Sequence, residues 1–163
     1  MKIVLILFVI SGCSYAGFGV SKNFKSKVNF YHDMFLFCSG LKCDLSFLKL
    51  RLDNVFAKAT GGKEFVFLCE KATQSLKSTK SQLIQYKDLD EIVFLSKKEK
   101  QTLYGFFDVL GKSDVANQQM QIDGYEKIFF DCLENAKQEY KTKGALYGKL
   151  GIYAGLFVAI LCL

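Results

Sequence analysis

Residues 96–114 read Ser-Lys-Lys-Glu-Lys-Gln-Thr-Leu-Tyr-Gly-Phe-Phe-Asp-Val-Leu-Gly-Lys-Ser-Asp, and this stretch carries its own start and stop. Ser96 and Glu99 stand at capping-box spacing: the serine hydroxyl accepts from the Glu99 N–H while the carboxylate returns to the Ser96 N–H. Leu103, Phe106, Phe107 and Leu110 then recur at helical steps on one face. Gly111 supplies a residue that leaves the helix with a left-handed backbone, and Ser113 or Asp114 caps the next helix. The corner from Leu110 to Asp114 is therefore structural: one helix closes and another opens within a few residues.

Outward from that corner the same period persists. On the C-terminal side Val115, Ile122, Tyr125, Phe129, Cys132, Ala136 and Tyr140 keep one face without a breaker. Fully helical, the fifty residues from Asp114 onward would extend about 75 Å. On the N-terminal side Gly61-Gly62 is the strongest breaker. A helix with Leu52, Val55, Phe56 and Ala59 inward ends before it. Another begins near Lys63 and aligns Phe65, Leu68, Cys69, Ala72 and Leu76. A shorter helix through Leu83 to Val93 is expected from Tyr86, Leu89 and Val93. Earlier, Val28, Tyr31, Phe35, Cys38 and Leu45 form one stripe, and Phe30, Met34, Phe37 and Leu41 a second. Gly40 lies inside that pattern, which by itself leaves open whether the chain turns there or beyond Phe47. No sustained alternation of period two occurs, so the fold class is all-α.

The ends differ from the middle. Nineteen residues from Ile3 to Ser21 carry no charge, enough helix for about 28 Å. Leu150 to Leu163 is a second uncharged run of fourteen, about 21 Å, which becomes a span if Tyr147 and Lys149 lie at the interface and Gly144 to Gly148 extend the helix. Lys22, Lys25 and Lys27 follow the first run, and Lys137, Lys141, Lys143 and Lys149 precede the second. The positive-inside bias then divides the chain into an N-terminal transmembrane segment (1–21), a cytoplasmic helical bundle (22–149) and a C-terminal membrane segment (150–163). A rival reading exports the domain: Ile10-Ser11-Gly12-Cys13 fits the pattern cleaved and lipidated in bacterial lipoproteins. Against it, the apolar run continues past Cys13 to Val20.

Composition narrows the function. The chain of 163 residues has 16 Phe and no Pro or Trp, a pattern that excludes Pro-rich disorder and collagen. Its formal charge of +6 is carried by lysine, with Arg51 the one arginine, so the planar fork that reads phosphates and bases is nearly absent and a nucleic-acid partner is not expected. No phosphate-binding, nucleophile-elbow or metalloprotease motif occurs, and His32 reads as a structural imidazole. Asp88, Asp90 and Glu91 lack the spacing of a calcium loop. Of six cysteines, Cys13 and Cys162 lie in the apolar ends, while Cys69 and Cys132 fall on helical stripes. Buried free thiols are the default, and Cys38 and Cys43 have the wrong offset for a zinc pair. No enzyme, metal site, cofactor or small-molecule substrate is expected.

The C-terminal third reads Leu110-Gly111-Lys112-Ser113-Asp114, then Gln118, then Leu146-Tyr147-Gly148-Lys149-Leu150-Gly151 and Gly155-Leu156 before an aliphatic tail. This arrangement resembles the stage III sporulation protein AB family of endospore-forming bacteria, with Leu110, Gly111, Ser113, Asp114, Gln118, Tyr147, Leu150, Gly151 and Gly155 at the family's motif positions. The chain departs from it near position 50, where Ser46-Phe47 and Leu50-Arg51-Leu52 stand without the family's proline. The resemblance implies that the first helix passes through Gly40 and breaks near 48–51. It implies a six-helix antiparallel bundle similar to the cytoplasmic domain of the type II secretion inner-membrane platform protein. It also implies a place in the channel complex between mother cell and forespore, in the mother-cell membrane around the forespore. Its partners there would be the ATPase called stage III sporulation protein AA and other proteins of the same operon. The alternative remains an exported lipoprotein-type envelope binding module.

Overall fold

Helix is the regular structure throughout the residues that the computed structural model describes, namely 2–43, 52–78, 82–110, 112 and 115–161. The elements are α1 (Lys2–Cys43), α2 (Leu52–Ala57), α3 (Lys63–Lys77), α4 (Tyr86–Asp90), α5 (Lys97–Val109) and α6 (Val115–Glu139), then a π-helical turn (Tyr140–Gly144) and α7 (Ala145–Leu161). With α6, the π turn and α7 taken as one helical run, these are six helical segments among the described residues. They fold as two units, Asn29–Leu133 and Met1–Val28 with Glu134–Leu163.

In the unit Asn29–Leu133, α1 buries Phe30, Tyr31, Met34, Cys38 and Leu41. The buried face thus mixes members of both expected stripes, because a helix surrounded by others buries a face wider than a coiled-coil seam. α1 continues through Gly40; Leu45 and the break expected near 48–51 lie outside the described residues, apart from the start of α2 at Leu52. Val55 and Phe56 of α2, Phe65, Leu68, Cys69 and Ala72 of α3, and Leu103, Phe106 and Phe107 of α5 complete much of the core. Fully burying one such side chain contributes about 1.5–3 kcal/mol.

Aromatic rings join these helices in one chain of contacts. Phe65 meets Phe37 edge-on at 5.6 Å, Phe37 stacks on Phe56 at 5.3 Å, and Phe56 stacks on Phe107 at 6.0 Å. Phe107 meets Phe106 and Phe106 meets Phe129, both at 5.3 Å, and Tyr31 lies 6.5 Å from Phe129. Phe30 then links Tyr31 to Phe94. Edge-to-face and offset pairs add about 0.5–1.5 kcal/mol each beyond their burial.

α4 is shorter than the expected helix through 83–93. A reciprocal cap fixes its start: Gln85 N–H donates to Asp88 Oδ2 at 2.8 Å. After Asp90 the chain leaves the helical path through three-residue turns, Ile92 N–H to Leu89 O and Leu95 N–H to Ile92 O. Ile92 and Leu95 therefore point inward, and Val93, expected on the inner face, is 84% exposed. At α5, Ser96 N–H donates to Glu99 Oε2 at 2.7 Å and Glu99 N–H to Ser96 Oγ at 3.4 Å.

The turn before α3 depends on a residue 29 positions earlier. Asp33 Oδ2 accepts the Gly62 N–H at 2.7 Å, so a carboxylate from α1 takes the N-cap N–H that Phe65, at the third helical position, has no acceptor to satisfy. Negative charge at a helix N-terminus is also favoured by the aligned peptide dipoles. A Cβ on Gly61 would lie 2.7 Å from Asp33 Oδ2 and 2.8 Å from Phe65 Cδ1, so only glycine fits.

Gly61→Val is expected to lower unfolding free energy by about 1–3 kcal/mol through overpacking, and Asp33→Ala by about 1 kcal/mol through the lost cap. Both act on one contact, so the double variant should lose less than the two single losses together. Urea titration of the full chain in detergent checks this. Strict additivity would show that the two residues do not share the contact.

Candidate functional site

Among the described residues the side chains that chemistry would need are spread out. The His32 side chain is 54% exposed, its Nδ1 3.7 Å from Asp33 Oδ1, beyond hydrogen-bond range. Asp88 caps α4 and lies 3.7 Å from Lys71, while Asp90 pairs with Lys100 at 2.9 Å. Among the described residues no three His, Cys, Asp or Glu side chains gather as metal ligands would. Lys42 bridges from α1 to α6, its ammonium against Asp123 Oδ1 and 3.0 Å from Glu126 Oε2. Hydrogen bonds to Asp123 and then Glu126 hold its pKa above the usual lysine range.

In the same unit a cleft of about 290 Å³ opens beside the Asp33–Gly62 contact. Leu36, Phe37, Leu41, Val55 and Phe65 form its apolar wall, with Asp33 and Lys58 as its charged lining. Sequence reading did not find this cleft, since its wall joins α1, α2 and α3 through Asp33 and Gly62. Such a wall can receive an apolar side chain; among the described residues its lining holds no thiol or imidazole to attack a substrate.

The motif positions divide between two places. Leu110 is buried and leaves α5 with an extended backbone, ψ 128°. Gly111, Ser113 and Asp114 lie outside the described residues, so the left-handed turn and the cap assigned to them do too. Gln118, on the first turn of α6, is buried, and among the described residues its Nε2 meets no acceptor. Tyr147, Leu150, Gly151 and Gly155 all stand on α7.

α7 belongs to the second unit, where it packs against the N-terminal part of α1. Phe24 stacks on Tyr147 with ring centroids 6.2 Å apart and planes 11° from parallel. Lys27 Nζ reaches Glu139 Oε2 at 3.1 Å. A later residue on α1 thus meets an earlier one on the partner helix, and the pair is antiparallel. Gly144 permits the approach, because a Cβ there would sit 3.4 Å from Phe24 Cβ and 2.8 Å from Tyr140 Cδ2. The helix is not purely α through this region, contrary to the uninterrupted pattern in the sequence. It widens into the π turn at Tyr140–Gly144, where the Thr142 hydroxyl donates back to Gln138 O at 2.8 Å.

From the Phe24–Tyr147 level both helices run toward one end with large apolar side chains exposed: Tyr15 at 83%, Phe18 and Val20 on α1, and Leu150, Tyr153, Leu156, Phe157 and Ile160 at 70% on α7. Among the described residues no helix is long and apolar enough to cross a membrane. α7 has 17 residues, about 26 Å. Of the run 3–21, the side chains of 3–11, 13, 14 and 16 lie outside the described residues, as do Cys162 and Leu163 at the other end.

The model of the family described as stage III sporulation protein AB matches residues 2–163. No curated protein and no solved structure matches the chain.

The thiols give a measurable signature. Cys38 and Cys69 are buried, Cys132 is intermediate, and Cys43 is exposed, so the buried default does not hold at Cys43. Burial pushes Cys69 up to about 12, with Asp33 and Glu70 adding to it. Burial, then Glu126, raises Cys38 as well. Unfolded, each ionises near pH 9.0, so above that pH the unfolded state binds fewer protons than the folded one. The stability this confers is complete below about pH 9 and falls as pH rises, by about 1.4 kcal/mol per pH unit for each thiol. Urea midpoints between pH 8 and 11 should therefore drop less steeply in Cys38→Ala/Cys69→Ala than in the parent. A maleimide should label Cys43 in the native protein, and Cys38 and Cys69 only after denaturation. Equal labelling of all three in the native state would contradict their burial.

Proposed function

This chain belongs to the stage III sporulation protein AB family, and on that premise we propose that it is a non-catalytic membrane platform of the channel complex between mother cell and forespore. The two apolar ends hold it in the mother-cell membrane around the forespore, and residues 22–149 face the cytoplasm. The bundle docks the stage III sporulation protein AA ATPase and other proteins of the same operon. Its spans fix their position relative to the channel.

The observation that carries this reading is the helix pair of the second unit: Phe24 against Tyr147 sets α1 and α7 antiparallel, so their exposed apolar residues emerge at one end. One end rich in exposed Phe, Leu, Ile and Tyr needs a lipid or protein cover. The all-helical bundle, with its continuous ring contacts, suits a rigid support.

Affinity capture of the tagged full chain from detergent-solubilised sporulating membranes should recover the ATPase and at least one further product of the operon. Repeated recovery of neither overturns the platform reading. The intact mass of the captured chain separates the exported alternative. An uncleaved N-terminus is expected, whereas cleavage before Cys13 with lipid added would establish the lipoprotein reading.

A further inference from the structure

The formal charge of +6 is not shared between the two units. Met1–Val28 with Glu134–Leu163 contains eight lysines and two glutamates, the entire excess, while Asn29–Leu133 holds 14 cationic and 14 acidic residues and is neutral. Such separation is not needed for solubility, which a mixed surface achieves without a one-sign field.

The position of that charge indicates its partner. Glu139 is engaged by Lys27 at 3.1 Å and Lys143 at 3.5 Å, and Glu134 by Lys137 at 2.8 Å. Lys22, Lys25, Lys141 and Lys149 are exposed and, among the described residues, form no ion pair. Lys22, Lys25 and Lys141 stand where residues 22–27 of α1 run against the Glu139–Tyr147 stretch, and Lys149 lies two residues beyond Tyr147, at the start of the exposed apolar section of α7. Tyr147, stacked on Phe24 and lying between these lysines in sequence, provides the amphipathic ring favoured at a headgroup layer. Nucleic acid would meet the lysines but leave the apolar section uncovered. A surface that is apolar inside and anionic at its boundary covers both.

We propose that Lys22, Lys25, Lys141 and Lys149 form a collar that binds anionic phospholipid headgroups, so that the protein gathers acidic lipid around its helix pair. This rests on the membrane reading above and adds the class of lipid. A lysine stem can lie along apolar helix surface while its ammonium group meets phosphate oxygens as a point charge, a contact that needs no arginine fork. Each lysine near such a surface favours anionic lipid about fivefold, and the preference is screened by salt.

The test uses the full chain synthesised in the presence of phosphatidylcholine vesicles containing one quarter phosphatidylglycerol. Flotation first reports membrane association. Electron spin resonance with spin-labelled phosphatidylglycerol and phosphatidylcholine then reports the relative affinity of the two headgroups. At low salt, phosphatidylglycerol should be preferred by about threefold or more, and the ratio should approach one in 0.5 M salt, an ionic strength beyond the reach of surface charge attraction. Lys22→Gln/Lys25→Gln/Lys141→Gln/Lys149→Gln should float and show a ratio near one. A second variant removing equal charge from the neutral unit, Lys63→Gln/Lys87→Gln/Lys97→Gln/Lys98→Gln, should keep the parent's preference. Flotation with no headgroup preference overturns the collar and leaves the membrane reading standing. Failure to float overturns the membrane reading and the collar with it. A preference that survives the collar substitutions, or that vanishes equally in both variants, overturns the assignment to these four lysines.

Discussion

Phe106 and Phe107 are neighbours on α5, and because they are adjacent they cannot face the same way. Phe107 stacks toward Phe56, and Phe106 makes edge-to-face pairs with Phe129 and Tyr125. That divergence lets one short helix be gripped from two sides, and the ring contacts running through Phe56 and Phe37 on one flank and Phe129 and Tyr31 on the other depend on it. Large rings suit this task because they bury much area with few rotamers to freeze. A chain without proline, rich in phenylalanine, can in this way fix helices at several angles without sharp covalent constraints.

Polar contacts then set details that rings leave open. The Asp33 carboxylate ties the entry of α3 to α1, and the glycine pair gives it room. Lys42 ties the far part of the same α1 stretch to α6 through two carboxylates. Both are pairings between an ion and fixed partners at the edge of the apolar core, where desolvation is partial and geometry rather than bulk charge decides their value. Among the described residues the second unit is held otherwise, with the Phe24–Tyr147 stack, the Lys27–Glu139 ion pair and the close approach at Gly144 joining two antiparallel helices.

The contrast between the units is chemical as well as architectural. One is charge-neutral and holds most of the buried apolar core, with Val93 and Met120 among its exposed exceptions; the other carries the net charge and leaves large apolar side chains exposed along α7. Hydropathy draws boundaries at 21 and 149, where charge begins and ends, whereas packing draws them at Val28 and Glu134. The residues between those two sets of lines, 22–28 and 134–149, hold most of the lysines of the helix pair.

The amino-acid order by itself determined what acts over one or two turns. The all-α class follows from its period, the α5 start from Ser96 and Glu99, the core faces of α3 and α5 from their stripes, and the family from the Leu110–Asp114 and Tyr147–Gly155 motifs. Each of these signals lies within a few residues, where helix geometry fixes which side chains can meet. The inward face beyond Asp90 was not legible, because three-residue turns shift the phase and bring Ile92 rather than Val93 to the core. Only tertiary structure decided that Asp33 would cap α3, that Phe24 would lie on Tyr147, and that a cleft would open between α1 and α2. Those contacts join positions tens of residues apart, and what selects them is the mutual fit of several helices, a property that no local repeat records.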